Sequence, residues 1–398
     1  MANGKKEMKK EKLTEKSEIN AKKADKTKEK KVKEAKPATV LTADAIAFLR
    51  NYINTPSAVG FESGGQKLWL DYVKPLVDTY YVDPYGTAVA IINPDAPFKV
   101  VIEAHCDEIS WFVNYINAEG LIYVKRNGGV DHQIAPAKRV LIHGKKGVVK
   151  AVFGWPAIHT RMSNAEGKEP VAKVENLFLD CGARNKKEVA ELGIQIGSVI
   201  TYEDGFDELA NGYYIGRAMD NRIGGFMIAE VARLLKENKK TLPYGLYIVN
   251  AVQEEIGLRG AEMIARRIKP NIAIITDVTH DTQTPMINKI IEGDVACGKG
   301  PSPCYGPAVH NKLLQIVEDV AEKNGIPLQM RTVSRSTGTD TDSFAYANDG
   351  CPSVLISIPL RYMHTTVEML HKDDIESTIQ LMYETLLALT PDVNLSYL

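Results

Sequence analysis

Seven side chains able to bind a divalent cation or move a proton stand where apolar runs of the sequence end. "FKVVIEAHCDE" finishes on His105 and Asp107, "VNAVQEEIGLRG" carries the adjacent Glu254 and Glu255, and "NIAIITDVTH" reaches Asp277. "GRAMDNRIGG" puts Asp220 just ahead of a helical stretch, and "CPSVLISIPLRYMHTT" runs on to His364. Two histidines with three carboxylates suit a pair of borderline ions such as Zn²⁺. Two such ions sit about 3.5–4 Å apart and need a bridging carboxylate with a bridging water or hydroxide. Formal charge agrees, since three carboxylates and a hydroxide balance two dications. Without cations, clustered carboxylates repel and raise one another's pKa. Neighbours on an extended chain point in opposite directions. Of Glu254 and Glu255, one can therefore ligate a metal while the other holds and moves a proton.

For these residues to meet, the runs that carry them must be strands of one sheet. Past Tyr213, helical and strand patterns alternate: "NRIGGFMIAEVARLLKEN" before "YGLYIVNAV", "LRGAEMIARRI" before "NIAIITDV", "HNKLLQIVEDVAEKNG" before "LQMRTV". Such alternation predicts a three-layer α/β/α domain with a largely parallel or mixed sheet, whose ligands gather outside the carboxyl ends of the strands. Between Trp111 and Glu203 the texture changes to short β-type segments between turns ("GLIYVKR", "KRVLIHG", "GVVKAVFG", "SVITYED"). The expected organisation is a catalytic α/β domain over residues 37–110 and 206–398, interrupted by an inserted small β-barrel at 111–205.

Residues 1–36 contain 14 lysines, 7 acids and no aromatic residue. The formal net charge of -1 for the whole chain therefore divides into +7 for this tail and -8 for the rest. With so little to bury, the tail is expected to be disordered. Its interleaved acids favour a solvated segment over a nucleic-acid or membrane contact. No apolar run spans a bilayer and no secretory pattern follows the start. Five cysteines without a CxxC suggest neither a disulfide framework nor a zinc ribbon, and the expected home is the cytoplasm.

Five motifs in order, "HCDE", "AMDNRIGG", "QEEIGLRGA", "ITDVTH" and "RYMHTTVEM", resemble metallopeptidase family 42. This is the tetrahedral (TET) and glutamyl aminopeptidase family of two-metal exopeptidases. "VENLFLDCGARNKKEVAELGIQIGSVITYEDGF" and "GTDTDSF" resemble it too, so the likeness covers about 41–389. The resemblance implies that Asp220 bridges two metals, that His105 and Asp277 complete one site, and that Glu255 and His364 complete the other. It makes Glu254 the general base, with Asp107 orienting His105. It also marks Asp220-Asn221 as a place for a cis peptide. Two divalent metals per subunit are implied, zinc before cobalt or manganese. The implied substrates are short peptides, and the implied assembly is a homo-oligomer of dimers building a dodecamer through the β-barrel domain. The reaction is removal of N-terminal residues by a metal-bridging hydroxide. "TDTDSF" departs from the family's "TDA"-type segment, which leaves the specificity pocket undefined.

The same residues admit competing readings. A glycosidase needs acids flanking a bond at about 5–9.5 Å, which adjacent glutamates suit poorly and which leaves the histidines unexplained. A deacylase or dipeptidase would use the same metals, and a scaffold or nucleic-acid binder would act through the tail. Taken singly, Asp220 reads as a helix N-cap and Cys106 as a packed thiol. His132, His143, His159, His280, His310 and His371 are read as non-ligands. Arg361 and Asp340 are read as substrate or subunit contacts, or as members of structural ion pairs.

Overall fold

A computed structural model describes residues 40–163 and 171–398, and the tail expected over 1–36 lies outside them. Two helices open the fold, α1 (Ala43–Asn54) and α2 (Ser63–Val73). Thr42 caps α1, its hydroxyl accepting the Ala45 N–H at 3.1 Å. A hairpin follows, β1 (Thr79–Val82) and β2 (Ala88–Ile92), held by the Asp83 carboxylate, which accepts the N–H groups of Tyr85 and Thr87. The buried strand β3 (Lys99–His105) comes next.

Six strands then close a barrel: β4 (Ser110–Ile116), β5 (Ile122–Asn127), β6 (Arg139–Gly144), β7 (Gly147–Phe153), β8 (Phe178–Asp180) and β9 (Val199–Tyr202). Their order is β4-β5-β8-β7-β6-β9. Closure leaves no free edge. Trp111, Ile122, Val140, Ile142, Phe153 and Ile200 fill the interior.

After two short strands, β10 (Asp207–Glu208) and β11 (Tyr213–Gly216), the chain returns to the larger unit. There it forms α3 (Met219–Glu237), β12 (Gly245–Ala251), α4 (Arg259–Ile268), β13 (Ile272–His280) and β14 (Ser302–Tyr305). The remaining elements are α5 (Asn311–Asn324), β15 (Arg331–Thr332), β16 (Ser353–Leu360), β17 (Glu368–His371) and α6 (Lys372–Ala388).

The main sheet has the order β1-β2-β12-β3-β13-β16-β14-β15. Its four central strands are mutually parallel. They are covered on both faces, which is why they read as unbroken apolar runs. The path from β3 to β12 steps one way across the sheet, and the path from β12 to β13 steps the other. Right-handed crossovers therefore put α3 and α4 on opposite faces, giving three layers. Residues 219–235 of α3 are buried all round, with α1, α2 and α6 packed against them. Trp69 of α2 is fully buried and donates its indole N–H to the Gly225 carbonyl at 2.8 Å.

The run "LQMRTV" yields only the two-residue strand β15. The preceding Gln329 gives its backbone N–H to the Pro301 carbonyl and accepts the Ser302 hydroxyl on its own carbonyl, while its side-chain amide bonds the Ala296 N–H and the Gly300 carbonyl. Among the described residues no helix is long and apolar enough to cross a membrane.

Candidate functional site

Register brings the strand ends level. Ala251 of β12 pairs with His105 of β3. Ile275 of β13 pairs with Glu103, so Asp277, two residues on, stands level with His105. Past β12, Gln253 takes a left-handed conformation (φ 59°), which turns the chain so that Glu254 and Glu255 start a single 3₁₀ turn over the strand ends. Asp107, fully buried, accepts the N–H of Glu254 at 3.0 Å and of Glu255 at 3.1 Å. Its Oδ1 stands 3.5 Å from His105 Nδ1. The carboxylate expected to orient His105 thus also anchors the backbone of both glutamates.

The start of α3 is irregular. Ala218 has φ 58°, the Asp220-Asn221 peptide is cis, and Asp220 keeps an extended ψ of 112°. Asn221 secures this turn by donating to the Thr276 carbonyl at 2.7 Å. The isolated reading of Asp220 as an N-cap does not hold, since it makes no capping bond and faces the strand ends instead.

Asp220 faces two imidazoles at once. Its Oδ1 is 3.3 Å from His105 Nε2, and its Oδ2 is 3.4 Å from His364 Nε2. Glu255 Oε2 is also 3.4 Å from His364 Nε2. Asp277 Oδ1 lies 3.9 Å and Glu254 Oε2 3.8 Å from His105 Nε2. Donors of a tetrahedral site with bonds of about 2.1 Å stand roughly 3.4 Å apart, so these separations suit a shared cation. Donor atoms of His105, Glu254 and Asp277, and again of His105, Asp220 and Glu255, fall within 4.8 Å of one another.

Electrostatics give the same fit. Burial pushes Glu254 up, and Asp340, Asp277 and Glu255 push it further against the opposing pull of His105. Burial and the neighbouring Asp220 raise Glu255. Burial also raises Asp277, with His105 opposing and Asp220 adding to the rise. Burial disfavours a charged His105, yet Glu254, Asp107 and Asp220 outweigh it and lift the imidazole well above its usual range. Asp220 resists burial because hydrogen bonds from both imidazoles hold its carboxyl low. A nest of acids this crowded calls for compensating positive charge, which bound cations would supply.

Several supporting residues had no signature of their own. Glu368, buried, accepts the Asp220 N–H at 3.0 Å and the His364 N–H at 2.8 Å, which ties two donor-bearing loops together. It gets there because β17 pairs with β11, setting Glu368 opposite Gly216. Gly129, just past β5 of the barrel, presents its carbonyl to His364 Nδ1 at 3.2 Å. A Cβ on Gly129 would lie 2.8 Å from that nitrogen, so only glycine allows this approach. Glu103 and Asp340 form a fully buried pair of acids behind His105, both raised chiefly by burial.

Other expectations resolve plainly. Arg361 pairs with Asp281 at 2.7 Å. Cys106 is a fully buried free thiol. Gly298 and Gly300, just ahead of β14, donate their N–H groups to Asp374. Above the cluster a cleft of about 650 Å³ opens, lined also by Gly257, Leu258, His280, Arg331, Thr337 and Met363.

Residues 86–381 match the family described as M42 glutamyl aminopeptidase. The chain belongs to this family. The lysyl aminopeptidase of Pyrococcus furiosus is 34% identical over 346 residues, which is 86% of this chain and 97% of that protein. A TET aminopeptidase from a marine-sediment archaeon of the Thaumarchaeota superposes with a TM-score of 0.81 at 28% identity, covering 87% of this chain and 99% of that one. The TET1 peptidase of Pyrococcus horikoshii, which can assemble into a tetrahedron or a large octahedral shell, gives a TM-score of 0.75 at 26% identity, with 85% and 98% covered. This M42 member is accordingly a peptidase of the aminopeptidase class, its α/β/α unit carrying an inserted barrel.

Proposed function

We propose that this aminopeptidase holds two divalent cations per subunit and releases N-terminal residues from short peptides. One observation carries the reading: the two oxygens of Asp220 face different imidazoles, at 3.3 and 3.4 Å. Asp220 would bridge the ions, with His105 and Asp277 completing one site and Glu255 and His364 the other. The mixed nitrogen and oxygen donors favour zinc, with cobalt or manganese as substitutes. Bound there, the ions would polarise the scissile carbonyl and make water nucleophilic near neutral pH.

The protein's own groups do the rest. Glu254 Oε2 takes a proton from the attacking water and returns it to the departing nitrogen. Asp107 fixes Glu254 by holding its backbone N–H. The cleft, about 650 Å³, has room for the end of a peptide chain. We further infer a homo-oligomer built of dimers, in keeping with the TET relatives. The five free cysteines support a cytoplasmic home.

A chelator should abolish hydrolysis of aminoacyl-anilides, and added zinc, cobalt or manganese should restore it. Acetylating the substrate's amine should also stop turnover; continued cleavage would favour the deacylase reading. Chelator-resistant glucanase activity would favour the glycosidase reading. In the supporting shell, Gly129→Ala should weaken one of the two metals by about 10- to 100-fold, the usual cost of losing an outer-shell partner. Metal titration by calorimetry would detect it, and two unaltered binding steps would remove the proposed role of that carbonyl.

A further inference from the structure

Arg331 is the one arginine or lysine among the described residues that line the cleft. It sits on β15 at the sheet edge, paired with Cys304 of β14, and reaches inward across β14 to β16. There its Nη2 donates to Ser357 Oγ at 2.9 Å. Ser357 is fully buried and in register with Asp277. The guanidinium is thereby fixed one strand beyond Asp277, in the row that holds the metal-binding cluster. Among the described residues no carboxylate lies within salt-bridge distance of it, and its buried Nε has no hydrogen-bond partner. Asp342, another acid lining the cleft, has its oxygens taken by the N–H groups of Thr337 and Gly338.

A half-buried guanidinium with no carboxylate in direct contact is costly, and a planar carboxylate matches its fork of donors. We propose that Arg331 is a specificity residue that binds a carboxylate of the substrate peptide. That carboxylate belongs either to an acidic first side chain or to the C-terminus of a dipeptide. The inference rests on the aminopeptidase reading and adds the substrate chemistry to it. A purely structural role, such as offsetting the charge of Asp277, would affect all substrates alike.

Matched substrate pairs separate these roles. Glutamyl- and glutaminyl-p-nitroanilide differ only in a carboxylate, as do Leu-Gly and Leu-Gly-amide. Kcat/KM would be measured on each for the metal-loaded wild type, Arg331→Gln and Arg331→Lys. The wild type should favour the carboxylate member of at least one pair by about 10- to 100-fold, the range of a charge-assisted hydrogen bond. Arg331→Gln should erase that preference through KM while leaving the neutral member within about twofold, and Arg331→Lys should recover part of it. Loss confined to the anilide pair assigns the side chain, and loss confined to the dipeptide pair assigns the C-terminus. Equal losses on both members of each pair, or no wild-type preference, would overturn the inference while leaving the aminopeptidase reading intact. A wild type inert toward every free-amine substrate would overturn both.

Discussion

Asp220→Ala should strip both cations from the protein and lower turnover by at least about a thousandfold, because both sites depend on the one carboxylate. The expectation comes from its two-sided geometry, with one oxygen toward His105 and the other toward His364. A ligand serving one metal would leave the second in place on removal. Loss of a bridge instead leaves each site with two protein donors, too few for tight binding of zinc. Metal content after dialysis, read by mass spectrometry beside kcat, would check this. Asp220→Asn is the control for folding: it keeps the shape and the buried contact with the Glu368-held backbone, and removes only the charge. Retention of two equivalents of metal by either variant would dismantle the bridging assignment.

The strand ends that carry the candidate metal ligands were legible in the sequence for a physical reason. A parallel strand covered on both faces admits few polar residues, so the first strong ligand after each apolar run marks the end of the strand and the rim of the sheet. His105, Asp277 and the Glu254-Glu255 pair are read that way, and register then puts them side by side. The barrel was legible as a loss of helical period. Less accessible was anything set by chain direction or distant packing. Asp107 grips Glu254 and Glu255 only because Gln253 turns the chain with positive φ. Glu368 reaches the Asp220 backbone across 148 positions, and Gly129 reaches His364 across 235. Neither residue type nor spacing announces such contacts. Glu103 was visible as an acid inside "FKVVIEAH", and a mid-strand charge is a signal in itself. Its partner Asp340 is brought to it by the short helix it precedes, which packs on β13 and β16.

Glu254→Gln should keep both cations and still lose at least about a hundredfold in turnover, the usual loss when a general base is removed. Glu254 Oε2 approaches His105 Nε2 as closely as Asp277 does, 3.8 against 3.9 Å, so distance alone would allow it to be a ligand. Two features support the proposed role in proton transfer instead. Asp277 lies on the strand, level with His105, and is held there by the sheet, whereas Glu254 stands on the turn beyond β12 and overhangs the cleft. Its surroundings also favour the protonated form: burial comes first, then the charges of Asp340, Asp277 and Glu255. A carboxylate so placed gains affinity for a proton, and bound cations would draw that affinity back toward the working pH, which is the condition for efficient proton transfer. The amide of glutamine keeps the size and polarity of the side chain but cannot accept the proton. Kcat should therefore fall while KM and metal stoichiometry hold. A proportionate loss of metal would make Glu254 a ligand, and unchanged kcat would leave the proton to another group in the cleft.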